Sequence, residues 1–134
     1  RQIEHAAELA KSFTLPDNYR NLKNVVVAGM GGSSLGARVI DSLYIDSLSV
    51  PLEIVNDYKL PAYVNNQSLV IASSYSGSTE EVLACYQDAK QRNVKIVIAA
   101  SGGKLASLAK ADGNPAFVYQ AIHNPCNQPR LAIG

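Results

Sequence analysis

At 134 residues, the chain is long enough for one domain that buries roughly two-thirds of its unfolded surface. Apolar residues make up 47% and the net charge is only +1, with no basic run or stripe, which argues against a nucleic-acid footprint. No apolar run approaches the ~18 residues of a membrane-spanning helix, and no signal-peptide pattern opens the chain.

Ile3, Ala6, Ala7, Ala10 and Phe13 share one helical face, and Leu15-Pro16-Asp17 ends this first helix, inside an N-terminal helical extension over residues 1–20. The short, β-branched run from Val25 to Ala28 predicts a strand buried on both faces. Beyond Ser33, Leu35, Val39 and Leu43 recur every fourth residue with Ile40 and Tyr44 beside them, predicting a helix to about Ile45. Pro51 to Val55 reads as the second strand, and Tyr58 to Asn66, with its Pro61, Asn65 and Asn66, as connection. Ser68 to Ser73 is the third strand. A helix from about Thr79 to Gln91 follows, its start marked by Ser78 and Glu81 at capping-box spacing. Val94 to Ala99 is the fourth strand, Gly102-Gly103 opens a short helix carrying Leu105, Leu108 and Ala109, and Pro115 to Tyr119 is the fifth strand. His123 to Pro129 reads as loop, and there is no internal repeat or low-complexity tract.

Strands alternating with helices predict a doubly wound, three-layer α/β sandwich around a five-stranded parallel sheet, flavodoxin- or Rossmann-like, with right-handed crossovers. In such sheets ligands bind beyond the carboxyl ends of the strands, near a topological switch point. Two Gly/Ser segments fall there: Gly29-Met-Gly-Gly-Ser-Ser34 after the first strand and Ser73-Ser-Tyr-Ser-Gly-Ser-Thr79 after the third. Glycine lets backbone N–H groups approach a ligand, a helix start leaves such donors unpaired, and the hydroxyls add neutral ones. Together they point to an anion on a polyhydroxylated molecule.

Other readings compete at each residue. Gly29-x-Gly31 begins a dinucleotide fingerprint, and Asp57 after the second strand is placed to hold a ribose, but Ser34 stands where the third glycine belongs. A Walker A loop is excluded, since no Gly-Lys-Ser/Thr follows the glycines. Gly31-Gly32 also fit a plain turn feeding a helix, with Ser33 as N-cap. Between Ser73 and Thr79 stand five hydroxyl residues besides Tyr75, more than a turn and a cap require. That excess favours a phosphate held by Ser74, Ser76, Thr79 and helix N–H groups, with Ser78 as the cap. Glu80 and Glu81 read as first-turn carboxylates favoured by the helix dipole rather than as bases. His123 reads as a solvated loop histidine and His5 as a surface one. Arg130, between Pro129 and Leu131-Ala-Ile133, fits an ion pair, the start of a further helix, or a ligand contact. Cys85 reads as a small core residue and Cys126 as a loop thiol. With no CxxC pair and no metal-ligand spacing, a reduced, cytoplasmic, metal-free protein is expected. An initial Arg1 and a final Gly134 straight after an apolar run predict a domain excised from a longer protein.

Gly29-Met-Gly-Gly-Ser33, Ser74-Tyr-Ser-Gly-Ser-Thr-Glu-Glu81, Ser101-Gly-Gly-Lys-Leu105 and Gln128-Pro-Arg-Leu-Ala132 together resemble the sugar-isomerase (SIS) domain family, more narrowly the first domain of bifunctional phosphoglucose/phosphomannose isomerases. Ser78 departs mildly from that pattern, which often has Asn there. The resemblance implies that residues 1–134 form a single phosphosugar-binding domain, the amino-terminal half of a two-domain, homodimeric isomerase that needs no cofactor. Such enzymes interconvert glucose 6-phosphate, and mannose 6-phosphate, with fructose 6-phosphate. It puts substrate contacts at Gly31, Gly32, Ser33, Ser74, Ser76 and Thr79, and makes Arg130 the catalytic cation near the reacting carbons. The family's catalytic Glu and ring-opening His belong to the second domain, the His reaching in from the other subunit. The chain alone is therefore expected to bind sugar phosphate and to isomerise poorly or not at all. The alternative is a non-catalytic phosphosugar-sensing SIS domain of a regulator.

Overall fold

The computed structural model describes residues 2–120. In chain order these form α1 (Gln2–Ser12), β1 (Asn24–Gly29), α2 (Leu35–Tyr44), β2 (Leu52–Val55), β3 (Ser68–Ser74), α3 (Glu80–Gln91), β4 (Lys95–Ala100), α4 (Gly103–Asp112) and β5 (Ala116–Val118). Each lies close to its expected bounds. The strands form one sheet in the order β2-β1-β3-β4-β5, and every neighbouring pair is parallel. This is the expected doubly wound α/β arrangement. The chain runs outward from β1 to the edge strand β2, then crosses back to β3 on the other side of β1. The winding thus reverses between β1 and β3, whose carboxyl ends carry the two Gly/Ser segments.

Strand periodicity of two sends alternate residues to opposite faces. One set, Val26, Ala28, Val70, Ala72, Ile96, Ile98 and Ala100, belongs to the main buried cluster with Val82, Cys85, Tyr86 and Ala89 of α3 and Leu105 and Ala109 of α4. The other set includes Val27, Leu69 and Val97, which are also buried. In β5, Phe117 turns away from the α4 side and meets Phe13 edge-on, with ring centroids 5.9 Å apart. Ala7 and Ala10 of α1, which share a helical face with Phe13, are exposed.

The apolar repeat of α2 is only half satisfied. Leu35 and Val39 are half-buried, but Leu43 is 71% exposed, with Ile40, Tyr44 and Ile45 also exposed. The cause lies in the sheet: β2 is a four-residue edge strand, so it offers the end of α2 little to pack against. The connection from β2 to β3 is pinned instead by polar groups. Arg92 donates to the carbonyl of Pro61 (2.8 Å) and grips Asp88 (2.7 Å), while Asp88 accepts the N–H of Leu60 (3.1 Å). Among the described residues no helix is long and apolar enough to cross a membrane.

Candidate functional site

β1 ends at Gly29, opposite Ser73 of β3, so the two loops leave the sheet side by side. After Met30 the chain turns at Gly31 (φ 53°) into a tight 3-10 turn, Gly31–Ser34, and then into α2. A φ in that range suits glycine, because it crowds the Cβ of other residues. Ser33 was the expected cap of this helix. Ser34 occupies the position before α2 instead, buried and bonded to the carbonyl of Gly31 (2.9 Å), and no side chain caps the helix. Ser33 turns across to the second loop: its hydroxyl accepts the N–H of Tyr75 (3.1 Å) and its carbonyl accepts the Ser73 hydroxyl (2.7 Å). The two loops are therefore one hydrogen-bonded unit.

The second loop folds around Ser74, which is fully buried. Its hydroxyl lies 2.7 Å from the Thr79 hydroxyl and 3.4 Å from that of Ser76, and accepts the N–H of Gly77 (3.1 Å). Ser76 is exposed, and its hydroxyl accepts the N–H of Ser78 (3.2 Å). The expected Ser78–Glu81 capping box does not form. Thr79 holds the N-cap position of α3 with extended backbone, and its side chain makes no cap bond. The reason is local, since Ser74 draws the Thr79 hydroxyl back into the loop. The first intrahelical bond runs from the N–H of Leu83 to Thr79, which leaves the amides of the first turn without a side-chain cap.

A third loop braces the second. The Ser101 hydroxyl donates to the carbonyl of Tyr75 (2.5 Å), and the N–H of Leu105 donates to that of Gly77 (2.8 Å). Gly77 and Gly103 interlock. A Cβ on Gly77 would lie 1.8 Å from the Gly102 carbonyl oxygen, and one on Gly103 would lie 2.4 Å from that of Ser76. In the sequence Gly102-Gly103 reads as the opening of a helix and as part of the family resemblance, without a role in the site; paired glycines after a strand were the available signal of this close backbone approach.

Other candidates are placed elsewhere. The Asp57 carboxylate accepts its neighbour's N–H (Tyr58, 2.6 Å), so it closes its own turn. Glu80 and Glu81 stand in the first turn of α3, and their charges raise the pKa of the exposed Tyr58 phenol, Glu81 most strongly. Cys85 is buried, as expected, and burial pushes its thiol up to about 11. Arg130, His123 and Cys126 lie outside the described residues. Among the described residues no group of three or more His, Cys, Asp or Glu side chains could hold a metal ion. Asn56, which sequence reasoning passed over, donates its side-chain amide to the Gly29 carbonyl and accepts from Arg38 (3.0 Å). The arrangement offers hydroxyls and the uncapped backbone N–H groups of the first turn of α3, tied to the first loop through Ser33. It suits a hydrated anion and holds no evident proton-transfer base among the described residues.

Residues 18–116 match the profile described as the SIS domain. The chain belongs to the SIS domain family. The bifunctional phosphoglucose/phosphomannose isomerase of Caldicellulosiruptor bescii is 41% identical over 134 residues, a match covering 99% of this chain and 38% of the relative. The SIS domain described here thus spans well under half the length of that protein. Among solved structures, tagatose-6-phosphate ketose/aldose isomerase from Escherichia coli superposes with a TM-score of 0.72 at 16% identity, covering 99% of this chain and 41% of the other. The Vibrio vulnificus NanR protein complexed with ManNAc-6P does so with a TM-score of 0.69 at 18% identity, covering 98% of this chain and 52% of the other. At such identities the two superpositions speak for the fold.

Proposed function

We propose that this SIS domain holds the substrate of an aldose–ketose isomerase that interconverts glucose 6-phosphate, and mannose 6-phosphate, with fructose 6-phosphate in the cytoplasm. The observation that carries the reading is the second loop. Its hydroxyls stand at the uncapped first turn of α3, where helix N–H groups would meet a phosphate dianion, and the loop is tied to the first loop through Ser33. The 41% identity to an isomerase of that type over nearly the whole chain supports the choice of substrate.

In this reading Ser76 and Thr79 contact the phosphate, and buried Ser74 orients the Thr79 hydroxyl from beneath. Gly31, Gly32 and Ser33 form the facing wall along the sugar. Neutral donors suffice for a dianion in a pre-formed site, in keeping with a net charge of +1. The isomerisation moves a proton between C2 and C1 of the open-chain sugar through a cis-enediolate. Arg130 is assigned the cation that stabilises the developing oxyanion. The proton-transferring carboxylate and the ring-opening histidine are assigned to a second domain of a homodimeric protein.

Calorimetry with fructose 6-phosphate and with NAD tests the reading. Sugar phosphate should bind, and Ser76→Ala and Thr79→Ala should each weaken it by about 0.5–3 kcal/mol. NAD binding without sugar-phosphate binding would overturn it. A regulator that senses phosphosugar is the second reading, favoured by the likeness to NanR complexed with ManNAc-6P. Turnover of fructose 6-phosphate by the longer parent protein, lost in Arg130→Ala, decides for the enzyme.

A further inference from the structure

The first loop is held from both sides, and only one side belongs to the phosphate-binding unit. β1 lies between β2 and β3 in the sheet. From the β3 side, Ser73 and Tyr75 bond Ser33. On the β2 side the strand register ends with Ala28 opposite Val55, so the Gly29 carbonyl has passed the end of that ladder. Asn56, the next residue along, fills the gap with its side chain: the amide nitrogen donates to the Gly29 carbonyl, and the amide oxygen accepts from Arg38 on α2. An Asn amide has one donor side and one acceptor side, and only one orientation serves both partners. Arg38 cannot accept a hydrogen bond, so it fixes which end of the amide meets Gly29. Among the described residues Arg38 forms no ion pair with a carboxylate; its one recorded partner is this amide.

We propose that Asn56, oriented by Arg38, is a positioning residue for the sugar: it sets the Gly29–Met30 peptide and thereby the Gly31–Ser33 wall, without touching the phosphate. The inference rests on the sugar-phosphate reading above. It predicts a split that general destabilisation would not produce, because the phosphate loop, although joined to the first loop through Ser33, is also braced by Ser101 and by Leu105 of α4.

Asn56→Ala, Asn56→Asp and Arg38→Gln are compared by calorimetry with fructose 6-phosphate and with inorganic phosphate, and by urea midpoint. Asn56→Ala should weaken fructose 6-phosphate about 5- to 10-fold, the loss of one hydrogen bond's net worth. Inorganic phosphate should change less than about twofold. Asn56→Asp is the sharper probe. It keeps, and strengthens, the contact to Arg38 but sets a carboxylate against the Gly29 carbonyl, so it should bind the sugar no better than Asn56→Ala. Arg38→Gln should fall between wild type and Asn56→Ala. Wild-type affinity in Asn56→Asp, or equal losses for sugar phosphate and inorganic phosphate, overturns the inference. Failure of the wild-type chain to bind either ligand overturns the functional reading instead.

Discussion

Gly77→Ala isolates the contact that joins the second and third loops. Two costs add. The backbone at Gly77 has φ 67°, a conformation that costs an L-residue roughly 1–2 kcal/mol. The new methyl would also lie 1.8 Å from the Gly102 carbonyl oxygen and 2.7 Å from its carbon, both backbone atoms. Restoring ordinary contact means moving the two loops apart by about 1.5 Å. That displacement breaks the 2.8 Å bond from the N–H of Leu105 to the Gly77 carbonyl, worth about 1 kcal/mol. The expected destabilisation is therefore about 3 kcal/mol or more, at the upper end for single substitutions. Gly31→Ala is the control. Its φ of 53° carries the same conformational cost, but nothing lies within 4 Å of the added carbon, so a loss of about 1–2 kcal/mol is expected. Urea unfolding followed by circular dichroism gives both values. Equal effects within about 0.5 kcal/mol would show that the close approach of the loops does not constrain this backbone.

Leu105→Ala removes a fully buried side chain from the cluster between α4 and the sheet, and should cost about 2–5 kcal/mol in the same assay; a loss below 1 kcal/mol would place the side chain outside the core. Alkaline pH should also destabilise the fold. Burial pushes the Cys85 thiol from an ordinary 9.0 to about 11, and burial with a hydrogen bond to Asp112 pushes the Tyr86 phenol from 10.0 to about 12. Both groups keep their protons longer when folded, so their contribution is complete below pH 9 and is lost as pH rises through 11 and 12. A urea midpoint unchanged between pH 8 and pH 11 would contradict this. The same burial predicts that iodoacetamide at pH 8 leaves the Cys85 peptide unmodified in the native protein and alkylates it in urea, read by mass spectrometry. Native labelling of that peptide would refute it.

The order and kind of the elements were legible because each depends on neighbours in sequence. The buried strands carry unbroken apolar runs such as Val25-Val-Val-Ala28 and Leu69-Val-Ile-Ala72, and the winding of a parallel sheet follows from strands alternating with helices. The placement of both Gly/Ser segments at strand carboxyl ends followed from the same pattern. The helix starts were misread. Ser33 and Ser78 have the right type and spacing for caps, yet Ser33 bonds Tyr75, 42 residues away, and Thr79 holds the position assigned to Ser78, with its hydroxyl turned to Ser74. Local capping rules count donors along one segment, whereas Ser33 found its partner across the sheet and Thr79 found its own within the loop, in Ser74.

By itself, then, the sequence determined a doubly wound α/β domain with two hydroxyl-rich loops at one end, since local periodicity and glycine placement settle both. Tertiary structure alone decided how those loops come together. The reversal of winding puts β1 beside β3, which brings Ser33 to Tyr75. The third loop closes on Gly77 through backbone contact that only glycine permits, and Asn56 reaches Gly29 because the edge strand stops one residue short. The edge strand also decided the fate of α2, whose apolar repeat outruns the surface available to cover it. Hydrogen bonds and burial between segments far apart in the chain depend on which strands lie side by side, and no local pattern encodes that adjacency residue by residue.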